Sequence, residues 1–228
     1  MPNLPEQLAS PQTAATFVTT EHFVLQTARA ATIAEANGRA SVFLGVVSGA
    51  LVALGFAGQA GQGGRVLLGF GLALFPVLVF LGVATYARVL QLSLEDIVLL
   101  WRIDRIRRLY LDANPDLAGI LAPAWSGWQA VPRVQGIHPG RWRLLLTMAG
   151  TIGMVNSVLA GALAGFAASL LSGHTTVRVL AGVVAFATVA AAHQRHQRSR
   201  FASVRSPLAP QDDGAGDSLP DQPADPGA

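Results

Sequence analysis

The sequence predicts an all-α polytopic membrane protein. Two transmembrane helical hairpins, four spans in all, are joined by an amphipathic cytoplasmic helix and an irregular interfacial loop. Three observations predict it. Only 13% of the 228 residues are charged, about half the roughly 25% usual in a soluble domain. The mean hydropathy is +0.44, and the apolar residues fall into long runs rather than short alternations. All sixteen basic residues are Arg, and eight of them gather between Arg88 and Arg143, with nearly charge-free stretches on either side.

Residues 1–18 hold Pro2, Pro5 and Pro11 and read as a loose terminus. Thr20 is a candidate N-cap with Glu21 in the first helical turn. His22, Gln26, Arg29, Thr32, Glu35 and Arg39 then recur every three or four residues as one polar stripe, and Glu35 and Arg39 are spaced to pair. This stripe is either a solvated helix face or a docking surface for the central Arg-rich helix. No signal-peptide core is visible in the first thirty residues, so the first span is expected to act as an uncleaved anchor.

That first span is Ala40–Ala60, long enough for a hydrocarbon core of about 30 Å. Ser41, Gly45, Gly49 and Ala53 follow at four-residue spacing, as at close helix contacts. Gly61–Arg65 is a short turn. Val66–Ala87 is the second span, with Pro76 placed to kink it and Tyr86 and Arg88 placed to anchor it at the interface. Ser93-Leu94-Glu95-Asp96 resembles a capping box flanked by a Leu92/Ile97 staple. A helix to about Asp112 follows, with Arg102, Arg105 and Arg108 on one side and Leu99, Ile103, Ile106 and Tyr110 on another. It is expected to lie on the inner leaflet or to pack on the N-terminal helix. The expected contacts are Glu21 or Glu35 with Arg102, Arg105 or Arg108, and Phe23 with Ile103 or Ile106. Together residues 19–112 form one unit.

Residues 113–143 carry four prolines, Trp125 and Trp128, and read as a loop dipping into the headgroups. Leu144–Leu171 is the third span. Its small residues Gly153, Ser157, Gly161, Gly165 and Ser169 form a ridge expected to pack on the Gly45/Gly49 face or on a second subunit. Gly173 and His174 mark a turn. Val179–Ala192 is a short fourth span, completed by Val177 and a snorkelling Arg178. The basic end 193–200 closes the unit 144–200. Residues 201–228 read as a disordered acidic tail. The five Asp of residues 206–228 hide the bias of the remainder, where sixteen Arg stand against eight acids.

Fourteen Arg fall in the N-terminal, central and C-terminal segments and two, Arg65 and Arg178, in the short turns. By the positive-inside rule both termini are cytoplasmic. No charge lies well inside a span, which argues against a proton-coupled carrier. Asn156 is the one strongly polar residue deep in a span, read as hydrogen-bonding glue between helices or as a substrate contact. With no cysteine, disulfides and thiolate sites are excluded. No metalloprotease, nucleophile-elbow, phosphate-loop or dinucleotide motif occurs, so neither an enzyme nor a cofactor is expected. His193 and His196 offer two nitrogens to a metal without a third, and read better as part of an interfacial basic end. The Arg clusters abut the membrane, where anionic headgroups attract them by about 1 kcal/mol each. The expected partner is therefore anionic lipid and not nucleic acid.

Thr20-Glu21-His22-Phe23-Val24-Leu25-Gln26, with Glu35 and Gly38-Arg39, resembles the lead-in of a family of uncharacterised actinobacterial four-span membrane proteins. Ser93-Leu94-Glu95-Asp96-Ile97 and Ile103-Asp104-Arg105-Ile106-Arg107-Arg108-Leu109-Tyr110 resemble their cytoplasmic helix. The likeness covers about residues 20–112 and departs at Asp104 and Leu109, where such sequences are expected to hold Asn and Tyr. It implies a bacterial inner-membrane location and no activity. The residues themselves favour a non-enzymatic scaffold or interaction and sensing protein, forming a homo-oligomer or joined to a membrane partner. The alternative is a small pore or permease.

Overall fold

The computed structural model describes residues 11–59, 64–113, 116 and 147–205. Among them are four α-helices and no strand: α1 (Pro11–Gln59), α2 (Arg65–Ala113), α3 (Met148–Leu171) and α4 (Thr175–Arg205). All four are long and apolar enough to cross a membrane. The expected interfacial loop lies outside the described residues apart from its first residue, Ala113, which closes α2, and the exposed Asp116. So do residues 1–10 and residues 206–228 of the acidic tail.

Two expected boundaries are absent. The N-terminal helix and the first span are one helix of 49 residues. The second span and the central Arg-rich helix are another of 49 residues. Each is about 73 Å long at 1.5 Å per residue, more than twice a hydrocarbon core. Neither Gly nor Pro occurs between Gln12 and Asn37 or between Val83 and Ala113, so nothing interrupts either helix. The loose terminus is corrected accordingly: α1 starts at Pro11, and proline is well suited to a first helical position. Thr20 is no cap, since its hydroxyl donates to the Thr16 carbonyl one turn back. Ser93 likewise donates to Val89, and α2 runs on through the supposed capping box. Hydroxyls bonded in this way satisfy themselves inside a helix without ending it. Pro76 also sits within α2.

The helices lie in a row. α1 packs along α2, α2 along α3 and α3 along α4, while α1 and α4 barely meet. The main core joins Phe43 and Val47 of α1, Phe75, Leu78, Val89 and Leu90 of α2, and Ile152 and Leu159 of α3. Along α1 the inward positions are Ala36, Ala40, Phe43, Val47, Ala50 and Leu54, the three- and four-residue spacing of a helix seam. Beyond that core α1 and α2 continue together as a two-helix stalk, with Leu25, Leu94 and Ile103 buried along it. Phe23, expected to face Ile103 or Ile106, is instead 67% exposed. Leu25, two positions on and thus about 200° around the helix, is the inward residue.

α3 begins with Thr147 as N-cap, its hydroxyl accepting from the Gly150 amide at 3.1 Å. At its other end the Arg178 guanidinium donates to the Ser172 and Gly173 carbonyl oxygens, both at 3.2 Å. Arg178 therefore closes the α3–α4 turn. α4 extends well past the expected fourth span and carries the basic end as regular helix.

Candidate functional site

The small-residue ridge is buried at Gly153, Ser157 and Gly161 and half-buried at Gly165 and Ser169, but its partner is α4 and not the Gly45/Gly49 face. A methyl placed on Gly161 would meet the Gly182 carbonyl oxygen at 2.8 Å, and one on Gly182 would meet the Gly161 oxygen at 3.0 Å. Gly153 faces His193, and Gly165 faces the Arg178 carbonyl. Ser157 is buried, with its hydroxyl returned to the Gly153 carbonyl. Gly45 and Gly49 are exposed, with open space where a side chain would be. Four-residue spacing thus marks a close approach in α3 and, among the described residues, none in α1 at Gly45 and Gly49. Spacing alone carries no information about which partner is nearest.

The stalk is held by paired charges in one antiparallel register. Gly58 lies against Leu67 beside the turn. Further down, Glu35 Oε1 accepts from Arg88 Nη2 at 3.0 Å and from Arg39 Nε at 2.9 Å. Next comes Arg29 Nε donating to Asp96 Oδ1 at 2.8 Å, with both side chains about one-quarter exposed or less. Last, Thr19 Oγ1 lies 3.4 Å from the Tyr110 hydroxyl. The Arg39 guanidinium, and after it that of Arg88, hold the Glu35 carboxyl below its ordinary value of 4.5 against a weaker opposing effect of burial.

These partners correct the expected cross-helix set. Glu35 does not reach Arg102, Arg105 or Arg108, because the antiparallel register carries those residues past it. Arg108 pairs with Asp104 of its own helix at 2.8 Å. Arg105 lies over the Trp101 ring, 5.8 Å from its centroid. Arg102, Arg105 and Arg108 are exposed along the stalk. Arg88, Arg29 and Asp96 were not recognised as a set from the sequence. Their signal was available: each pair lies nearly equidistant from the Gly-rich turn.

A second cluster joins α2, α3 and α4 where the stalk meets the core. The Tyr86 hydroxyl donates to the His193 carbonyl at 2.8 Å, and the two rings meet edge-on with centroids 4.4 Å apart. Tyr86 is thus a buried inter-helix link and not a solvent-side anchor. His193 Nδ1 lies 2.8 Å from the Val189 carbonyl of its own helix. Gln197, fully buried, donates to the Thr147 hydroxyl at 2.8 Å. The basic end is therefore packed on one side and no free tail. Among the described residues no group of three or more His, Asp or Glu is placed to hold a metal ion.

Asn156 is fully buried, and among the described residues neither its amide oxygen nor its amide nitrogen has a hydrogen-bond partner. What it meets is Gly82 of α2: the side chain fills the space where Gly82 lacks one, and a methyl on Gly82 would overlap its amide oxygen.

No family model, curated protein or solved structure matches this chain.

Proposed function

We propose that this chain is a non-enzymatic scaffold or sensing protein of the bacterial cytoplasmic membrane, with four spans, both termini cytoplasmic, and the α1–α2 stalk as its working part. The orientation rests on the Arg count, fourteen on the stalk side against two in the opposite turns, read by the positive-inside rule. The observation that carries the reading is the continuity of α1 and α2 from the four-helix core into the stalk. A helix pair without a joint moves as one body, so a shift in the core becomes a tilt or rotation of the stalk tip. Arg102, Arg105 and Arg108, exposed along α2, suit an acidic partner surface, and the membrane-proximal Arg suit anionic headgroups. The likeness to actinobacterial four-span proteins agrees with this location. The ion pairs Glu35–Arg88 and Arg29–Asp96 fall outside the four apolar stretches expected to span, so no charged path crosses the bilayer along them.

The test is transport. Purified protein in liposomes is expected to pass neither ions nor small solutes above the rate of protein-free vesicles. A reproducible unitary conductance would overturn the scaffold in favour of a pore.

A further inference from the structure

α1 carries a second seam that no part of the described chain touches. Phe17, Val24, Ala31, Gly38, Gly45 and Val52 recur at intervals of seven, and every one is exposed. Three positions after each of the first five stand Thr20, Thr27, Ala34, Ser41 and Ser48, also all exposed. That is first-and-fourth heptad spacing of uncharged, mostly small residues, the spacing at which two helices of a left-handed pair face each other, with small side chains that let the backbones approach. It lies on the side of α1 turned away from α2, whose seam uses Leu25, Ala40, Phe43 and Val47.

Three further observations say what covers it. First, the seam holds no charge from Phe17 to Val52, although its first half belongs to the stalk, where water would favour charged residues. Copies in one membrane share one orientation, so α1 meets its own copy in parallel and each seam residue meets itself. A charge anywhere on the seam would then repel its own image, and none is present. Second, three of its four hydroxyls are already used. Thr20 donates to Thr16, Thr27 to Phe23 and Ser48 to Leu44 within the same helix. The seam therefore presents methyl groups and glycines with few unmet donors, a surface suited to another dry helix. Third, the seam is about 53 Å long and about 10 Å wide. Counted on both copies it would bury on the order of 1,050 Å², just above the roughly 1,000 Å² that a biological interface is expected to clear.

We propose that the outer face of α1 is the interface of a parallel homodimer, which sets two stalks side by side as four helices. This deepens the scaffold reading and rests on its orientation of both stalks to one side of the membrane.

The absence of native cysteine makes the test direct. In liposomes at high lipid-to-protein ratio, Ala31→Cys, Ser41→Cys and Ser48→Cys are expected to form disulfide dimers on mild oxidation. Ala36→Cys and Val47→Cys, which face α2, are not. Adding Ala31→Glu to Ser48→Cys should cut cross-linking at least tenfold, because two carboxylates then meet in the seam. Unchanged helicity and melting temperature show that the fold survives. Cross-linking without this periodicity, or a monomer by single-molecule photobleaching, would overturn the proposal. If the monomer also shields Ala31→Cys from a water-soluble maleimide, the chain itself covers the face, and the proposal fails equally. The flux assay separates the two readings: dimers that conduct would sink the scaffold alone, and non-conducting monomers would sink only the seam.

Discussion

Gly161→Ala tests the packing of the membrane half where two helix backbones approach most closely. The added methyl lands 2.8 Å from the Gly182 carbonyl oxygen and 3.1 Å from the Phe186 Cβ. Ordinary contact is about 3.4–4 Å, and the obstructing atoms are backbone and a Cβ, neither of which can swing aside. α3 and α4 must therefore part by roughly half an ångström at the crossing. A gap of that size forfeits about a quarter or more of the dispersion energy of the atoms lining it. Overpacking of this kind costs about 1–3 kcal/mol, and alanine returns part of that, up to about 1 kcal/mol, through its better helix propensity. A net loss of about 1–2 kcal/mol is expected. Reversible unfolding in mild detergent, followed by steric trapping or by SDS titration, measures it. Gly45→Ala is the control, because nothing lies within 4 Å of a methyl there, and its effect on the monomer should stay within about 0.5 kcal/mol. Gly182→Ala should also destabilise, and the double variant should lose less than the sum, since helices parted by one methyl accommodate the second. If Gly161→Ala matches Gly45→Ala, the helices do not cross at these glycines and the reasoning fails.

The stalk pair should respond to acid and to charge exchange. Glu35 is held below its ordinary value, so its contribution is present above about pH 4.5 and is lost as pH falls through the lowered value. Spin-label distances across the stalk should widen there, less so in Glu35→Gln. Glu35→Arg should open the stalk and Arg88→Glu should close it again, whereas Arg108→Glu should not; equal rescue by Arg108→Glu would refute the register. Asn156→Leu keeps the shape against Gly82 and removes two unpartnered polar atoms, so it should be neutral or stabilise by about 1–2 kcal/mol. Marked destabilisation would mean the amide has a partner. Reporter fusions after Gly63, Asp116 and Gln211 should read outside, inside and inside, and an outside reading at Gln211 would remove the fourth crossing.

The apolar lengths were legible in the sequence because a membrane span must be a long uninterrupted run. The joints were not. Thr20 and Ser93-Leu94-Glu95-Asp96 carry the chemistry of helix starts, yet the same hydroxyls bond backward inside a continuing helix. A local signal cannot distinguish the two when no Gly or Pro breaks the chain nearby. The ridge Gly153, Ser157, Gly161 was legible as a contact, but its partner depends on which helix follows through the shortest turn, and that is α4. Gly45 and Gly49 show the same spacing with nothing against them. Asn156 was found by its polarity, while its role depends on Gly82, a residue whose only signal is the side chain it lacks. The Glu35–Arg88 and Arg29–Asp96 pairs needed the antiparallel register, which becomes readable once both helices are taken as unbroken.

α2 is the element that joins the two halves, and the spacing of two of its residues explains how. Tyr86 and Arg88 are two positions apart, so their side chains leave the helix about 200° from each other. Tyr86 accordingly meets His193 of α4, while Arg88 meets Glu35 of α1. α2 is thus gripped from opposite sides within about one turn, by an aromatic and hydrogen-bonded contact on one flank and an ion pair on the other. A rotation of α2 that preserves one grip must strain the other. The α3–α4 pair, fixed by Gly161 against Gly182 and seated on α2 through Asn156 against Gly82, therefore sets the rotation at which Arg88 is presented to Glu35. The charge pair at the head of the stalk is the point where packing in the apolar core becomes geometry outside it.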